Sequence, residues 1–256
     1  MLLFAQRHLQ NAAAIHCTSE REQSEVSRRR IGPPTFIVPN PIELEEFQSL
    51  PERGHLRQAL GIPRNAAVIL FLSRLHRKKG LDLSLRAFAK LCRGRGTEQI
   101  RFIIAGPAEQ GYDNCVRQLV RGLGIGPFVH MIGMVRGQVR LQAFADSDIF
   151  ILNSFQDNFG NSVAEAMACG LPVVISEKVD IAEIVRRNSC GIVVRQDVDD
   201  IFQALQCLIL SRHLRREMRQ RAKQTAMSEF SSVVVASKMA RAYQAILAGS
   251  VTQTML

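Results

Sequence analysis

The strongest constraint on the fold is an alternation that begins near residue 66 and repeats six times along the chain. Short apolar runs of four to seven residues alternate with longer stretches in which apolar residues recur at helical spacing. Such runs are typical of buried parallel strands, and the longer stretches are typical of amphipathic helices. The alternation therefore predicts an α/β fold, a doubly wound parallel sheet with right-handed crossovers.

The spacing also sets the expected bounds of these elements. The predicted strands are residues 68–73, 101–106, 128–133, 148–154, 171–176 and 191–194. The predicted helices between them are residues 80–92, 113–123, 137–146, 161–169 and 180–187. Residues 198–248 carry three further helical patterns and no strand pattern, which predicts a helical C-terminal tail. Ligands of such sheets bind beyond the carboxyl ends of the strands, so residues that follow strands are the candidates for a site.

Composition narrows the classes of protein and partner. The chain is 46% hydrophobic and 22% charged, which is ordinary for a globular protein and excludes a disordered one. Its net charge is +10, but the basic runs have no interleaved aromatic residues and Trp is absent, which argues against a nucleic-acid partner. The charge is then available for anionic substrate groups or for an acidic membrane surface. The alternative is a set of solvated helix faces without a partner, which we favour for the basic run at residues 212–216 (RHLRR). The six cysteines form no CxxC pair, and we expect them to be buried thiols in a reducing cytoplasm.

The first candidate site follows the strand at 68–73. It is a basic loop, Ser73–Gly80 (SRLHRKKG), that leads into a predicted helix. Arg74 offers a two-pronged donor, Lys79 a mobile point charge, and the start of a helix adds a positive dipole. The loop therefore suits a diphosphate, and the alternative interpretation is a solvated basic loop.

The second candidate site follows the strand at 148–154. A polar loop with Asp157 and Gly160 opens a helix at Asn161 or Ser162, where free backbone N–H groups suit a phosphate. Glu165 lies one turn into that helix among small apolar residues, so it needs a partner. The alternatives are a solvent-facing helix residue for Glu165 and a turn or capping residue for Asp157.

Several ordered motifs give the chain a specific resemblance. The segment DNFGNSVAEAMACGLPVV (157–174) resembles the signature of family 4 glycosyltransferases of the GT-B fold, in which an acidic residue, seven others and a Glu precede a small-residue helix and a GxPVV strand. SRLHRKKGLDLSLRAFA (73–89) is similar to the family's GRLxxxKG segment, with Ser73 for the usual Gly. VPNPIELEEF (38–47) is similar to its linker. The match covers roughly residues 15–245.

The resemblance implies roles for individual residues. Arg74 and Lys79 would neutralise the diphosphate of a nucleotide-sugar, Glu165 would hold the ribose hydroxyls, and Asp157 would contact the transferred sugar. The further donor-binding residues that it implies are Asn158, Phe159 and Gly160 at the sugar through their backbone, Asn161 and Ser162 at the phosphate, and Gly106 and Met134 at the base. The implied reaction transfers a sugar with retained anomeric configuration and needs no metal and no other cofactor.

Two departures from the family bear on function. Asp157 stands where Glu is usual, and its side chain is shorter by one C–C bond, about 1.5 Å. The larger departure is length, because only the second of the family's two Rossmann-like halves is recognisable. We therefore divide the chain into residues 1–46, a remnant of the acceptor half with a linker; residues 47–230, the nucleotide-sugar-binding domain; and residues 231–256, a C-terminal helix packing toward the absent half. None of the six histidines matches the His of the absent half, and His16 and His130 fit strand residues.

The expected function is a glycosyltransferase that uses a nucleotide-sugar and a glycan or lipid-linked acceptor. The resemblance implies polysaccharide biosynthesis in the cytoplasm, with a peripheral contact at the inner face of the membrane as one option. The alternative is a nucleotide-sugar-binding module, or a split-enzyme subunit that requires a separate N-terminal half. A Rossmann dehydrogenase fits poorly because Gly122, Gly124 and Gly126 precede a strand, whereas a dinucleotide-binding motif follows one. A P-loop NTPase is excluded because the sequence contains no Walker motif. A GT-B epimerase or phosphorylase would share the architecture but fits the Asp157–Val174 segment less well.

Overall fold

The computed structural model describes residues 8–29, 32–94 and 99–249. Six parallel strands form its main sheet in the order β5-β4-β3-β6-β7-β8, and two more form a small parallel sheet, β1-β2. The strands are β1 (Ile15–Cys17), β2 (Thr35–Ile37), β3 (Ala67–Leu72), β4 (Ile100–Ala105), β5 (Val129–Gly133), β6 (Ile149–Leu152), β7 (Val173–Ser176) and β8 (Gly191–Val194).

The helices flank the main sheet and form the tail. They are α1 (Glu20–Arg28), α2 (Glu45–Gln48), α3 (His55–Ala59), α4 (Leu81–Cys92), α5 (Tyr112–Leu123), α6 (Gly137–Ala145), α7 (Asn161–Ala168), α8 (Ala182–Arg187), α9 (Val198–Leu210), α10 (Arg212–Phe230) and α11 (Ser232–Leu247). The predicted doubly wound sheet and helical tail are confirmed. Parts of the predicted first and last regions, residues 1–7, 30–31 and 250–256, lie outside the described residues.

The core lies on both faces of the main sheet. Val68–Phe71 of β3 and all of β6 are fully buried, as expected for parallel strands covered by helices on both sides. On α4, Leu81, Leu85 and Phe88 recur at helical spacing and are fully buried. The Phe88 ring meets the Phe102 ring of β4 edge-on, with centroids 5.2 Å apart. Apolar burial at this spacing is what binds the helix layer to the sheet.

The strand order reverses between β3 and β6. The chain winds outward from β3 to β5 and then returns to start again at β6 beside β3. The loops after β3 and β6 therefore diverge to opposite sides of the sheet and leave a crevice at its carboxyl edge, which is the usual ligand position in open α/β sheets.

The small sheet and the last helix share a separate apolar cluster. Phe36 and Val38 pack there with Val235 and Ala242 of α11, and Met239 is partly buried against them. The last helix is thereby joined to the N-terminal segment, whereas α9 and α10 pack into the main core, and other apolar residues of α11, such as Tyr243, stay exposed.

The cysteines differ in part from the expectation. All six are free thiols, and Cys17, Cys169 and Cys190 are buried. Cys115 and Cys207 are exposed, so the prediction of burial was wrong for these two. The apolar neighbours of Cys207 suggested burial, but the buried face of α9 carries Ile201, Ala204, Leu205 and Leu208.

Candidate functional site

Two oppositely charged side chains meet across the crevice between β3 and β6. Lys79 ends a 3-10 turn in the loop after β3, and Asp157 lies in the loop after β6. The Lys79 Nζ donates a hydrogen bond to Asp157 Oδ2 at 2.6 Å, and the two side chains are 15% and 14% exposed. This charge-assisted bond shows that the two loops direct the side chains of Lys79 and Asp157 into the same crevice.

The close approach of these loops depends on Gly80. It adopts φ +63°, and a Cβ there would lie 1.9 Å from the backbone oxygen of Asn153. The backbone N–H of Phe155 donates to the carbonyl of Lys78 at 2.7 Å, which joins the two loops directly. Glycine is needed here because a side chain would push Lys79 away from Asp157.

Asp157 is fixed by its backbone as well as by its side chain. Its N–H donates to the carbonyl of Lys178 at 3.2 Å, and its carbonyl accepts from the N–H of Asp180 at 3.0 Å. The Ser154 hydroxyl donates to Asp157 Oδ2 at 3.3 Å. The carboxylate is therefore held toward Lys79, and Asp157 is more than the turn residue that the sequence left as an alternative.

Arg74 lies at the edge of the same crevice but is bonded elsewhere. Its side chain is 64% exposed and forms an ion pair with Glu109, which follows β4. Gly106 supports this loop: it has φ +136°, and a Cβ there would lie 1.8 Å from the backbone oxygen of Ser73. Gly106 thus lies beneath the Arg74 loop, as its position after β4 indicates, and its substitution would displace that loop.

Glu165 is paired within the protein. It is on the first turns of α7 with its side chain 21% exposed, and its Oε1 accepts from Arg140 Nη1 at 2.7 Å. Arg140 Nη2 donates in turn to Glu46 of α2 at 2.5 Å. Burial raises the pKa of Glu165 above its ordinary value, and the Arg140 guanidinium offsets only part of that increase. Glu165 is therefore not a solvent-facing helix residue.

The remaining predicted residues line the start of α7 and the strand ends. Gly160 precedes the helix, which begins at Asn161. Phe159 buries its ring against Phe230, with centroids 5.4 Å apart, so only its backbone is available to a ligand. Asn161 accepts a hydrogen bond from Asn40 of the linker segment at 3.3 Å. Ser162 follows in the first turn of α7.

Asn158 and Met134 occupy the two ends of the candidate site. The Asn158 carbonyl accepts from the Thr18 hydroxyl at 3.2 Å, so the N-terminal segment reaches this loop. Met134 follows β5 and is 54% exposed, in the position expected to flank a base. The two predicted structural histidines lie within strands: His16 Nε2 bonds the Val38 carbonyl at 2.7 Å, and burial lowers the pKa of His130.

The structure brings some predicted residues together and separates others. Lys79 contacts Asp157 directly, whereas Arg74 and Glu165 each bind a different partner, Glu109 and Arg140. Neither Glu109 nor Arg140 was predicted from the sequence as a partner of these residues. The only signal was that a Glu on an apolar helix needs a counter-charge, and the chain has too many arginines for sequence to select one.

Within the described ranges, no cluster of three or more His, Cys, Asp or Glu side chains has the arrangement of a metal site. In the same part of the chain, every helix is too short or too polar to cross a bilayer.

Comparison with known proteins defines the class. The fold matches solved GT-B glycosyltransferases, including sucrose-phosphate synthase from Thermosynechococcus elongatus, with a TM-score of 0.83 at 22% identity over 97% of this chain and 62% of that one. Anabaena Alr3699/HepE, solved in complex with UDP and glucose, has a TM-score of 0.83 at 23% identity over 95% of this chain and 66% of that one.

The sequence comparison then gives the family. The profile of "Glycosyl transferases group 1" matches residues 52–225, more than half of the chain, and the chain belongs to that family. A D-inositol 3-phosphate glycosyltransferase from Geodermatophilus obscurus is 27% identical over 186 residues, which are 70% of this chain and 41% of the relative. The chain spans about half the length of the curated relatives that it matches.

Proposed function

We propose that this protein transfers a sugar from a nucleoside diphosphate sugar to a glycan or a lipid-linked acceptor, with retention of anomeric configuration. The observation that carries the proposal is the Lys79–Asp157 pair across the crevice, with Glu165 on the helix that follows. These groups supply a cation for phosphate and two carboxylates for hydroxyls at the edge of the sheet where α/β proteins bind ligands.

The Lys79–Asp157 bond suggests how a donor would be received. A diphosphate offers Lys79 a more highly charged partner than one carboxylate, so Lys79 would turn from Asp157 to the phosphate. Asp157 would then be free to accept hydrogen bonds from hydroxyls of the sugar. The pair keeps both groups compensated until the donor arrives, because neither charge is left half-buried and alone.

The bond to the leaving group would be broken with help from fixed positive charge. As the sugar departs, negative charge grows on the distal phosphate, and Lys79 and Arg74 would stabilise it there. Charges that are already in place stabilise a transition state more than the ground state when the charge develops beside them. Two cations from the protein would fill the role that a metal plays elsewhere, so we expect no metal requirement.

The donor is proposed from chemistry and from the neighbours. The Anabaena protein was solved with UDP and glucose, which makes UDP-glucose the first donor to test. Ribose hydroxyls would bind the free oxygen of Glu165, and the base would lie against the loops after β4 and β5, near Gly106 and Met134. Backbone groups at Asn158–Gly160 would approach the sugar, and Asn161 and Ser162 the phosphate.

A peripheral contact with an acidic membrane is also proposed, with the protein in the cytoplasm and a role in polysaccharide biosynthesis. On α10, Arg212, Arg216 and Lys223 recur on one flank, are exposed, and form no ion pair with any described residue. Each such charge near an acidic bilayer is worth about 1 kcal/mol. Sedimentation with acidic and with neutral vesicles would test this contact.

The second candidate is a nucleotide-sugar-binding module or a split-enzyme subunit. It rests on the position of the residues proposed to bind the donor, all of which lie within the matched family region, residues 52–225. We therefore expect donor binding with little sugar transfer when the chain is tested alone. Robust transfer of a radiolabelled sugar would favour the enzyme over the module, and the anomeric signal of the product would test retention.

Titration calorimetry tests the site itself. We expect the chain to bind UDP or GDP, and Lys79→Ala and Arg74→Ala each to weaken binding about tenfold or more, because each removes a charge-assisted contact to phosphate. Arg86→Ala is the matched control, since Arg86 is exposed on α4 beyond the loop. Absence of heat with every nucleoside diphosphate, or equal loss in the control, would contradict the proposal.

A further inference from the structure

Arg140 has an unusual place in the site. Its guanidinium lies between two carboxylates, with Nη1 on Glu165 at 2.7 Å and Nη2 on Glu46 at 2.5 Å. The same group lies over the ring of Phe47, 5.4 Å from its centroid. The side chain is only 20% exposed, so the ring and the two acids fix its position.

The bonds of Arg140 differ from those of a purely structural arginine. Arg57 is 3% exposed and donates four hydrogen bonds to backbone carbonyls and one to the Asp148 carboxylate. Arg140 instead directs both terminal nitrogens to side-chain carboxylates, and one of these, Glu165, is the proposed ribose ligand. A guanidinium bound in this way fixes the direction of the carboxylate as well as its charge.

The consequence for Glu165 follows from geometry. Its Oε1 is occupied by Arg140, and Oε2 makes no hydrogen bond to the described residues. An anchored carboxylate presents its second oxygen in one direction, whereas an unanchored one rotates and loses entropy when a ligand binds. One oxygen is held by the protein, and the other can accept from a ribose hydroxyl.

Burial and the neighbouring charges act on the pKa of Glu165 in opposite directions. Arg140 of α6 lowers its pKa, while burial and Glu46 of α2 raise it. Cys169 directly follows α7, and its pKa is raised above its ordinary value mainly by burial, while Lys223 of α10 lowers the pKa of that thiol. Arg140 is thus the principal cation that faces Glu165, and without it burial would favour the protonated carboxyl.

We propose that Arg140 is a positioning residue that holds Glu165 so that its second oxygen faces the ribose of a bound nucleoside diphosphate. The inference rests on the proposed function, because it assumes that Glu165 binds ribose. Glu46 and Phe47 fix the guanidinium and connect the ribose contact to the segment before the main domain.

The test compares two ligands that differ by one ribose hydroxyl. Calorimetry would give the affinities of UDP and 2′-deoxy-UDP for the wild type, Arg140→Gln, Glu165→Gln and the double variant. We expect the wild type to prefer UDP by about tenfold, the value of one hydrogen bond to a charged acceptor. Arg140→Gln should reduce this preference to about twofold, and in the Glu165→Gln background it should have no further effect.

Lys79→Ala provides the matched control. It should weaken the binding of UDP and of 2′-deoxy-UDP by the same factor, because both ligands carry the diphosphate. The preference for UDP over 2′-deoxy-UDP should therefore stay unchanged. If Arg140→Gln does not fold, Arg140→Met replaces it, since methionine fills the space over Phe47 without the charge. Arg140→Lys should recover part of the preference, because it restores the charge without the two-pronged geometry.

The outcomes separate this inference from the proposed function. If the wild type binds neither UDP nor GDP, the proposed function fails. If it binds UDP, and Glu165→Gln removes the preference while the Arg140 variants keep the full wild-type preference, the role of Arg140 is overturned and the proposed function stands. Loss of the preference in both single variants, without additivity, supports the positioning role.

Discussion

The two ends of the main sheet use buried charge in opposite ways. At the amino end, Arg57 and Asp146 form a network in which almost every polar atom is bonded. Asp146 is fully buried and accepts from the N–H groups of Gly54, Leu56 and Arg57 and from the side chain of Gln142. At the carboxyl end, Lys79 and Asp157 are partly exposed and depend mainly on each other.

The difference separates structural charge from functional charge. A saturated network such as that of Asp146 has nothing left to offer a ligand, and its value lies in holding α3 against the rest of the domain. A pair with unused hydrogen-bonding capacity can exchange its partner for a ligand at small cost. Under the proposed function, the same residue types serve folding at one end of the sheet and ligand binding at the other.

The largest expected effect is a loss of stability when the buried network at the amino end of the main sheet is disrupted. Asp146→Ala should lower the free energy of unfolding by about 3–5 kcal/mol, because it leaves the backbone N–H groups of Gly54, Leu56 and Arg57 without the carboxylate that accepts from them. Urea unfolding measures this loss. A loss below about 1 kcal/mol would contradict the structural role of the network.

The next effect concerns the backbone under Arg74. Gly106→Ala should lower the free energy of unfolding by about 2–4 kcal/mol. An alanine is strained at the φ of +136° that Gly106 adopts, and its Cβ would lie 1.8 Å from a backbone oxygen. Gly133→Ala is the matched control: Gly133 also has positive φ, at +70°, but its Cβ would meet nothing within 4 Å. The control should cost about 1 kcal/mol. Equal losses in urea unfolding would show that the close approach to Ser73 is unimportant.

A smaller effect sharpens the idea of partner exchange at the carboxyl end. Asp157→Asn should strengthen UDP binding by about fivefold, because Lys79 no longer has to leave a charged partner that is worth on the order of 1 kcal/mol. Sugar transfer, if present, should fall, since the amide is a poorer acceptor for sugar hydroxyls. Titration calorimetry of the wild type and Asp157→Asn with UDP measures this change in affinity. Weaker UDP binding in Asp157→Asn would show that Asp157 assists Lys79 instead of competing with the phosphate.

The smallest effect is a pH dependence of stability. The pKa of Glu165 is raised in the folded chain, so the native state holds that proton more tightly than the unfolded state does. Stability should therefore fall as pH rises from the ordinary Glu value through the raised one. Glu165→Gln should remove this contribution. The free energies of unfolding of the wild type and of Glu165→Gln should be measured across this pH range. A constant difference between the two proteins would contradict the prediction.

The fold was predictable from the sequence, whereas the contacts of the candidate site residues were not. The strands were predictable because Val68–Phe71 and their counterparts are short, apolar and evenly placed. The loops after them were candidates because open parallel sheets bind ligands beyond the carboxyl ends of their strands. Gly80 marked the end of the basic loop and the start of the helix that follows it. Those signals are local in sequence.

The pairings were not predictable because they join distant segments. Arg140 and Glu165 are 25 residues apart, and Arg57 and Asp148 are 91 apart. Nothing in the sequence near either carboxylate selects its arginine from the many in a chain of net charge +10. The partner of Arg74 was missed for the same reason, since Glu109 looks like an ordinary loop residue.

A structure of the chain with bound UDP-glucose tests the account most directly. We expect the diphosphate within hydrogen-bond distance of Lys79 and Arg74, the ribose hydroxyls on Glu165, and the Lys79–Asp157 bond replaced by contacts to the ligand. Density for the nucleotide elsewhere on the protein, or an unbroken Lys79–Asp157 pair beside a bound donor, would contradict it.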